Sequence, residues 1–298
     1  MGSAWMQIQT FSPTLDGGSR AIWVAGNSGT NIIDFITIST QGNATDFGDT
    51  SLRKYNSGGA SRTRGVFGGG DPTTDTIEFI TIAQTGDATD FGNLNTSTTY
   101  LAGCSNQTRL LFGGGKTPSF TNAISFVTIA TTGNSIDFGD LTQARSNIGA
   151  LSSPTRGVFA GGYTPTDVNT IDFVTIASTG NAFDFGDIET GTGDNSANCS
   201  SSTRGILWGG NPSQKIEFIT IASKGNAVHF GDSFSNNLYQ NCTSDSIRGV
   251  AGGGQPSSTN TIQYIQIATQ GDANDFGDLT TTLHNSCAAF SNGHGGLG

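Results

Sequence analysis

The sequence predicts one all-β domain: a six-bladed β-propeller with four antiparallel strands per blade, closed by a C-terminal strand. Three observations carry this expectation. An Arg opening the phrase Arg-Gly-Val-Phe-Gly-Gly-Gly at 64–70 recurs as Arg20, Arg64, Arg109, Arg156, Arg204 and Arg248, spaced 44 to 48 residues apart, a period that suits one propeller blade. Each Arg is followed by a second phrase, Asp-Phe-Val-Thr-Ile-Ala at 172–177, with counterparts starting at Asp34, Glu78, Ser125, Glu217 and Gln263. A third phrase, Asp-Phe-Gly-Asp at 137–140, closes the unit, and its aromatic returns as Phe47, Phe91, Phe185, Phe230 and Phe276.

Within a unit, four short segments alternate with turn signals, the pattern of strands a to d. In one unit, strand a covers about residues 147–152, strand b 156–160, strand c 170–177 and strand d 181–186, with Ser-Pro-Thr at 153–155 and Ser-Thr-Gly at 178–180 as tight turns. An open solenoid would need atypical polar caps at its ends. Instead, residues 285–290 form a seventh copy of strand a with no c or d to follow. That copy can complete the first blade beside Arg20 and remove the open edges of the ring; residues 5–13 are the alternative source. The expected organisation is an N-terminal segment 1–17, the propeller at 18–292 and a glycine-rich tail at 293–298.

Composition agrees. Of 298 residues 44 are glycine, only 12% are charged and 34% are hydrophobic, with Ser, Thr and Asn supplying the polarity. Those three compete for backbone hydrogen bonds inside helices and favour turns and strands. Acids outnumber bases 23 to 13, and the net charge of −10 opposes binding to phosphate backbones and anionic membranes. Nucleic acid is therefore not an expected partner. No apolar run approaches the 18 or more residues of a membrane-spanning helix, and the N-terminus lacks the basic segment of a secretory signal.

Thr142-Gln143-Ala144-Arg145, then Val158-Phe159-Ala160-Gly161-Gly162, then Ile171-Asp172-Phe173 and Asp184-Phe185-Gly186 resemble a Kelch repeat, with its di-glycine after strand b and aromatics in strands c and d. Phe stands where the usual Kelch Trp of strand d would be. The wording Thr-Arg-Gly-Val-Phe-Gly-Gly-Gly, Phe-Val-Thr-Ile-Ala and Asp-Phe-Gly-Asp resembles Kelch-like repeats in virion structural proteins of tailed bacteriophages, marine cyanophages especially. The resemblance spans about residues 18–292. It implies a virion location, in a tail, fibre or capsid surface, with other virion proteins or a host cell-surface glycan or protein as partners.

Comparing the six copies separates frame from site. Arg20, Arg64, Arg109, Arg156, Arg204 and Arg248 open every strand b, and Asp46, Asp90, Asp137, Asp184 and Asp275 recur in strand d. The guanidinium fork suits carboxylates or carbonyls, so one Arg–Asp or Arg–carbonyl tie per blade is expected; an anion-binding ring of arginines is the functional alternative. Asp-Phe-Gly recurs five times, which makes it frame rather than a kinase metal-binding motif. Gly113-Gly114-Gly115-Lys116 lacks phosphate-loop spacing. Cys104, Cys199, Cys242 and Cys287 are expected at one strand-a position, shared with Ala60 and Leu151, as free buried thiols. Three of them on a metal is the competing reading. No nucleophile–base pair or zinc pattern emerges, so no enzymatic activity and no cofactor or metal is expected.

Alternating strand directions place the b–c and d–a connections on one face. These vary between copies, whereas the a–b and c–d turns stay uniform. Binding usually resides in variable loops on a rigid frame, which nominates Tyr55, Tyr100, Phe120, Tyr163, Tyr239 and His284. Aromatics among Asn, Ser and Thr suit either sugar faces or protein partners. The expected function is non-enzymatic docking or host-surface attachment in a virion; the alternative is a carbohydrate-binding, lectin-like propeller.

Overall fold

The structure is a computed structural model, and it describes residues 19–24, 30–51, 54–189, 197–210, 213–234, 239–254, 259–283 and 287–298. Six four-stranded antiparallel sheets form a closed propeller. In blade 1, strand a is Ala288–Ser291, followed outward by Arg20–Val24, Ile32–Thr37 and Thr45–Asp49. Blade 2 comprises Ser57–Ala60, Arg64–Gly68, Thr76–Thr81 and Thr89–Asn93, and blade 3 Ala102–Ser105, Arg109–Gly113, Ala123–Thr128 and Ile136–Asp140. Gly149–Ser152, Arg156–Ala160, Thr170–Thr175 and Phe183–Asp187 make blade 4. Ala197–Ser200, Arg204–Gly210, Ser213–Thr220 and Val228–Asp232 make blade 5, and Asn241–Ser244, Arg248–Gly252, Thr259–Gln266 and Asn274–Leu283 make blade 6. A short 3-10 helix, Gly295–Leu297, follows the closing strand.

The C-terminal segment closes blade 1, with Ala21 opposite Ser291 and Val24 opposite Ala288. The closing strand starts at Ala288, three residues later than the repeat suggested; residues 5–13 lie outside the described part. Six apolar clusters fill the six gaps between neighbouring blades. The cluster joining blades 6 and 1 contains Trp23, Ile38, Val250 and Phe276, and the one joining blades 1 and 2 contains Ile22, Phe47, Phe67 and Phe290. Each fully buried Leu, Ile or Phe side chain contributes about 1.5–3 kcal/mol, and the closing segment supplies Cys287 to the first of these clusters and Ala288 and Phe290 to the second.

The ladder arginines span those gaps. Nη1 of Arg20, Arg64, Arg109, Arg156, Arg204 and Arg248 donates to the carbonyls of Ile82, Ile129, Ile176, Ile221, Ile267 and Ile38, each on the next blade, at 2.7–3.0 Å. Each guanidinium also lies 4.4–5.2 Å from the strand-c aromatic of its own blade: Phe35, Phe79, Phe126, Phe173, Phe218 or Tyr264. That aromatic meets the strand-d Phe edge-on at 5.8–6.2 Å in every blade. Between the two expected partners of Arg, the geometry shows the carbonyl. Asp46, Asp90, Asp137, Asp184 and Asp275 lie exposed on the outer strands, where charge protects an edge from pairing with other chains.

The Asp-Phe-Gly phrase is a β-bulge. Ile33 pairs with Gly48 and Asp34 with Asp46, which leaves Phe47 unopposed, and the same shift recurs in all six blades. Gly139 shows why Gly follows: its φ is +149° and a Cβ there would stand 2.4 Å from the Gly180 carbonyl of the next blade. The c–d turns thus dock on the neighbouring outer strand. Asn181 Oδ1 accepts the Asp140 N–H at 3.1 Å and Asn134 Oδ1 the Asn93 N–H at 3.0 Å. Uniformity of these turns is therefore a requirement of packing between blades.

Two further ties were not foreseen. The strand-c acids, rather than the strand-d acids, hold neighbouring blades: Asp34 accepts from Thr280, Glu78 from Thr50 Oγ1, Asp172 from Thr142 and Glu217 from the Glu189 N–H. Burial pushes the carboxyls of Asp34 and Glu217 above the usual range. Asp172 also forms a fully buried ion pair with Arg145 at 3.0 Å. The second tie is a belt of serines around the axis. Oγ of Ser105, Ser152, Ser200, Ser244 and Ser291 each donates to the carbonyl of the corresponding residue on the preceding blade. Ala60 holds the sixth position.

Candidate functional site: the axial channel and its loop face

Four-residue a strands line a channel along the axis. Its upper half, toward the b–c and d–a loops, is a cavity of about 70 Å³ lined by residues including Asn56, Ser57, Asn198, Gln240 and Asn241. The lower half, about 50 Å³, is bordered by the serine belt, Cys104, Cys199, Phe290 and His294. Gly103, Ala150, Asn198, Cys242 and Ala289 border both halves, so the two adjoin along the axis.

The tail, residues 293–298, lies across the lower end. His294 Nε2 is 2.8 Å from the Ala60 carbonyl and 3.2 Å from Ser105 Oγ, while Nδ1 accepts the Gly296 N–H at 3.1 Å. A ring that accepts at Nδ1 and donates at Nε2 is neutral imidazole. Burial is the main reason its pKa falls to about 4, and the nearby Arg62 lowers it further. Gly295 packs on Ser200 and Ser201, Gly296 on Ser105 and Ser152, and Gly293 on Ser19 and Asp245. Arg62 donates to the carbonyls of Leu297 and Gly298. The tail therefore touches every blade.

At the upper mouth, Tyr55, Tyr100 and Tyr239 share one repeat position, two residues before strand a, and so does Asn147. All four have φ between 54° and 58°. These are the described non-glycine residues in the left-handed region, which a bulky side chain occupies only under strain. The Tyr100 N–H donates to the Tyr55 carbonyl and the Asn147 N–H to the Tyr100 carbonyl, linking blade to blade around the mouth. The rings of Tyr55 and Tyr100 are 4.2 Å apart. Burial, then the neighbouring Tyr55, raises the Tyr100 hydroxyl pKa well above the usual value, with Tyr239 also contributing.

Phe120 and Tyr163 form a separate pair farther out, with ring centroids 5.9 Å apart. Phe120 ends a small hairpin of Lys116–Thr117 and Ser119–Phe120, and Tyr163 is 37% exposed. His284 lies outside the described residues. The structure thus groups Tyr55 with Tyr100 and Tyr239, and Phe120 with Tyr163.

All four cysteines are free and buried, but they do not share one position. Pairing with strand b puts Cys104 opposite Leu111 and Cys199 opposite Ile206, the third position of strand a, whereas Cys242 lies opposite Ala251 in the second. Cys287 precedes its strand altogether. The repeat alone missed this because a one-residue slip is invisible in so short a strand, although it reverses the face on which a side chain lies. Burial pushes the Cys104 thiol up to about 12 and raises those of Cys242 and Cys287. Among the described residues, no three His, Cys, Asp or Glu side chains cluster as a metal site.

The fold and this geometry define the class: a six-bladed β-propeller with a channel plugged at one end and an aromatic rim at the other. No protein-family model and no curated protein matches the chain at a significant level. Among the described residues, no helix is long and apolar enough to cross a membrane.

Proposed function

We propose that this chain is a non-enzymatic structural protein of a bacteriophage virion, a propeller on the tail, fibre or capsid surface. Its b–c and d–a loop face docks another virion protein or a host-surface molecule. One observation carries the binding face: three tyrosines are held in strained backbone at a single repeat position around the channel mouth. Strain of this kind persists where the surroundings over-determine it, commonly at ligand clamps. The opposite face supports the same assignment, because its c–d turns are committed to contacts between blades. The buried strand-c acids are likewise engaged in stitching the ring, which supports binding over catalysis. The virion placement rests on the wording of the repeats.

The test replaces Tyr55, Tyr100 and Tyr239 by Asn, the residue that blade 4 carries at this position, and Phe120 and Tyr163 by Ser. Particle incorporation or adsorption to cells should fall while the melting temperature holds. Changes at Thr85, Thr132 and Ser178 on the opposite face should do less. Equal effects from the two sets would refute the assignment of the face.

A further inference from the structure

Resting on the docking reading, we propose that blade 3 carries a socket for an arginine side chain of a protein partner, in the place that blade 4 fills with its own Arg145. The socket is a cavity of about 80 Å³, larger than either half of the channel. It lies on the loop face, between the d–a connection that enters blade 3 and that blade's b–c connection, and Thr98, Phe112, Ala123, Ser125 and Asp137 are among the residues that border it.

Blades 3 and 4 can be compared residue by residue here. Thr98 stands eleven residues before Arg109, as Arg145 stands before Arg156, and the backbone is held alike: the Gly70 N–H donates to the Thr98 carbonyl and the Gly115 N–H to the Arg145 carbonyl, both at 2.9 Å. Ser125 pairs with Phe112 and Asp137 as Asp172 pairs with Phe159 and Asp184. In blade 4 the place is full. Arg145 is completely buried, and its guanidinium donates to the carbonyls of Thr170 and Phe159 at 3.2 and 3.3 Å and to the Asp172 carboxylate at 3.0 Å. In blade 3 small hydroxyl residues replace both members of that ion pair, and the cavity occupies the volume they leave. The other five blades carry Asp34, Glu78, Asp172, Glu217 or Gln263 buried at this strand-c position, whereas Ser125 is partly exposed.

What remains around the cavity favours a guest that donates hydrogen bonds. Phe112 and Ala123, whose blade 4 counterparts lend their carbonyls to Arg145, both border it. The Thr170 carbonyl accepts the Gly161 N–H and Arg145 together, while the Ala123 carbonyl accepts the Gly114 N–H at 3.0 Å and, among the described residues, no side chain. Asp137 is the one charged residue among those described at the cavity, and it is exposed; the adjacent Lys116 holds its Nζ over the Phe120 ring at 5.8 Å. A carboxylate without a bordering base favours a cation, as does the net charge of −10. The planar fork of arginine matches two carbonyls and a carboxylate better than a compact ammonium does. Ser125 in place of the acid also spares the empty socket a buried, unpaired carboxylate, so the guest's charge is met by Asp137 at the solvent edge.

NMR titration tests this with three blocked glycine-flanked tripeptides whose central residue is arginine, lysine or citrulline, the last a neutral copy of arginine. The arginine peptide should shift the amides of Thr98, Phe112 and Ser125 and bind about fivefold or more tighter than either of the others. Asp137→Asn, a change at an exposed site, should weaken it by about threefold or more. Thr98→Arg/Ser125→Asp rebuilds the blade 4 pair inside blade 3 and should abolish binding while circular dichroism stays unchanged; if that variant does not fold, Asp137→Asn and the citrulline comparison decide. No shift at those amides, equal binding of the citrulline or lysine peptide, undiminished affinity in Asp137→Asn, or binding by the folded double variant would each overturn the proposal. Particles carrying the folded double variant should lose the chain or adsorb poorly, and unaffected particles would overturn the assignment of the guest to a partner. Phe120→Ser/Tyr163→Ser particles report on attachment separately. If they adsorb poorly while the arginine peptide does not bind, the socket fails and the attachment reading stands. Peptide binding by a chain that never enters particles fails the virion reading and leaves the socket.

Discussion

Arg109→Met removes one of the six ties between blades and leaves the aliphatic stem nearly intact. Arg109 Nη1 donates to the Ile176 carbonyl at 2.9 Å, and its guanidinium lies 4.6 Å from the Phe126 ring. A hydrogen bond to a charged group contributes about 1.5–3 kcal/mol, and a partly exposed cation–π contact about 0.5–1 kcal/mol. The expected loss is therefore roughly 2–4 kcal/mol. Unfolding entropy near 2.1 cal/mol/K per residue gives about 0.6 kcal/mol/K for 298 residues, so Tm should fall by about 3–7 °C. Calorimetry should be run beside Asp90→Asn, which removes an exposed charge from the outer strand and should change stability by less than about 0.5 kcal/mol. Loss of stability in Asp90→Asn equal to that in Arg109→Met would refute the assignment of the carbonyl as the partner of Arg. So would an Arg109→Met effect below about 0.5 kcal/mol.

Ala60→Ser should complete the serine belt by donating to the Ser291 carbonyl, adding about 0.5–1.5 kcal/mol in urea unfolding; a destabilised variant would show that the sixth position cannot host the bond. Gly139→Ala and Gly180→Ala share a backbone penalty, at φ +149° and +153°, but only the first places a Cβ 2.4 Å from a carbonyl. Gly139→Ala should therefore cost about 1–3 kcal/mol more, and equal costs would contradict the close approach between blades. His294 has a folded pKa near 4 against the usual 6.5, so its neutral form favours the docked tail. That contribution is complete above pH 6.5 and is lost as pH falls toward 4, by roughly 3 kcal/mol. Protection of the Gly295 and Gly296 amides, taken as exchange relative to the intrinsic rate at each pH, should fall over that window in wild type and stay constant in His294→Gln.

Residues repeated six times revealed blade number, strand order and closure, because each blade must solve the same packing problem. The same repetition could not choose among partners. Asp46 and Asp34 both recur as acids and lie opposite each other, yet the one on the outer strand is exposed and the one on strand c is buried. The serine belt had a legible signal, since Ser105, Ser152, Ser200 and Ser244 each stand four residues before a ladder Arg. The tyrosines were nominated as loop aromatics, but their shared strained position is hidden, because tyrosine does not advertise a left-handed backbone; Asn147 in register with them was the clue. The docking of the tail was hidden because glycines that permit close approach look, in sequence, like glycines that permit freedom.

Quantitative mass spectrometry of purified particles tests the central claim most directly. Particles from cells carrying the wild-type gene should contain this chain at a fixed copy number through every purification step. Particles made with Tyr55, Tyr100 and Tyr239 changed to Asn and Phe120 and Tyr163 changed to Ser should lose the chain, or retain it and adsorb poorly. A chain absent from wild-type particles, or present with both properties unaffected by those changes, would contradict the account.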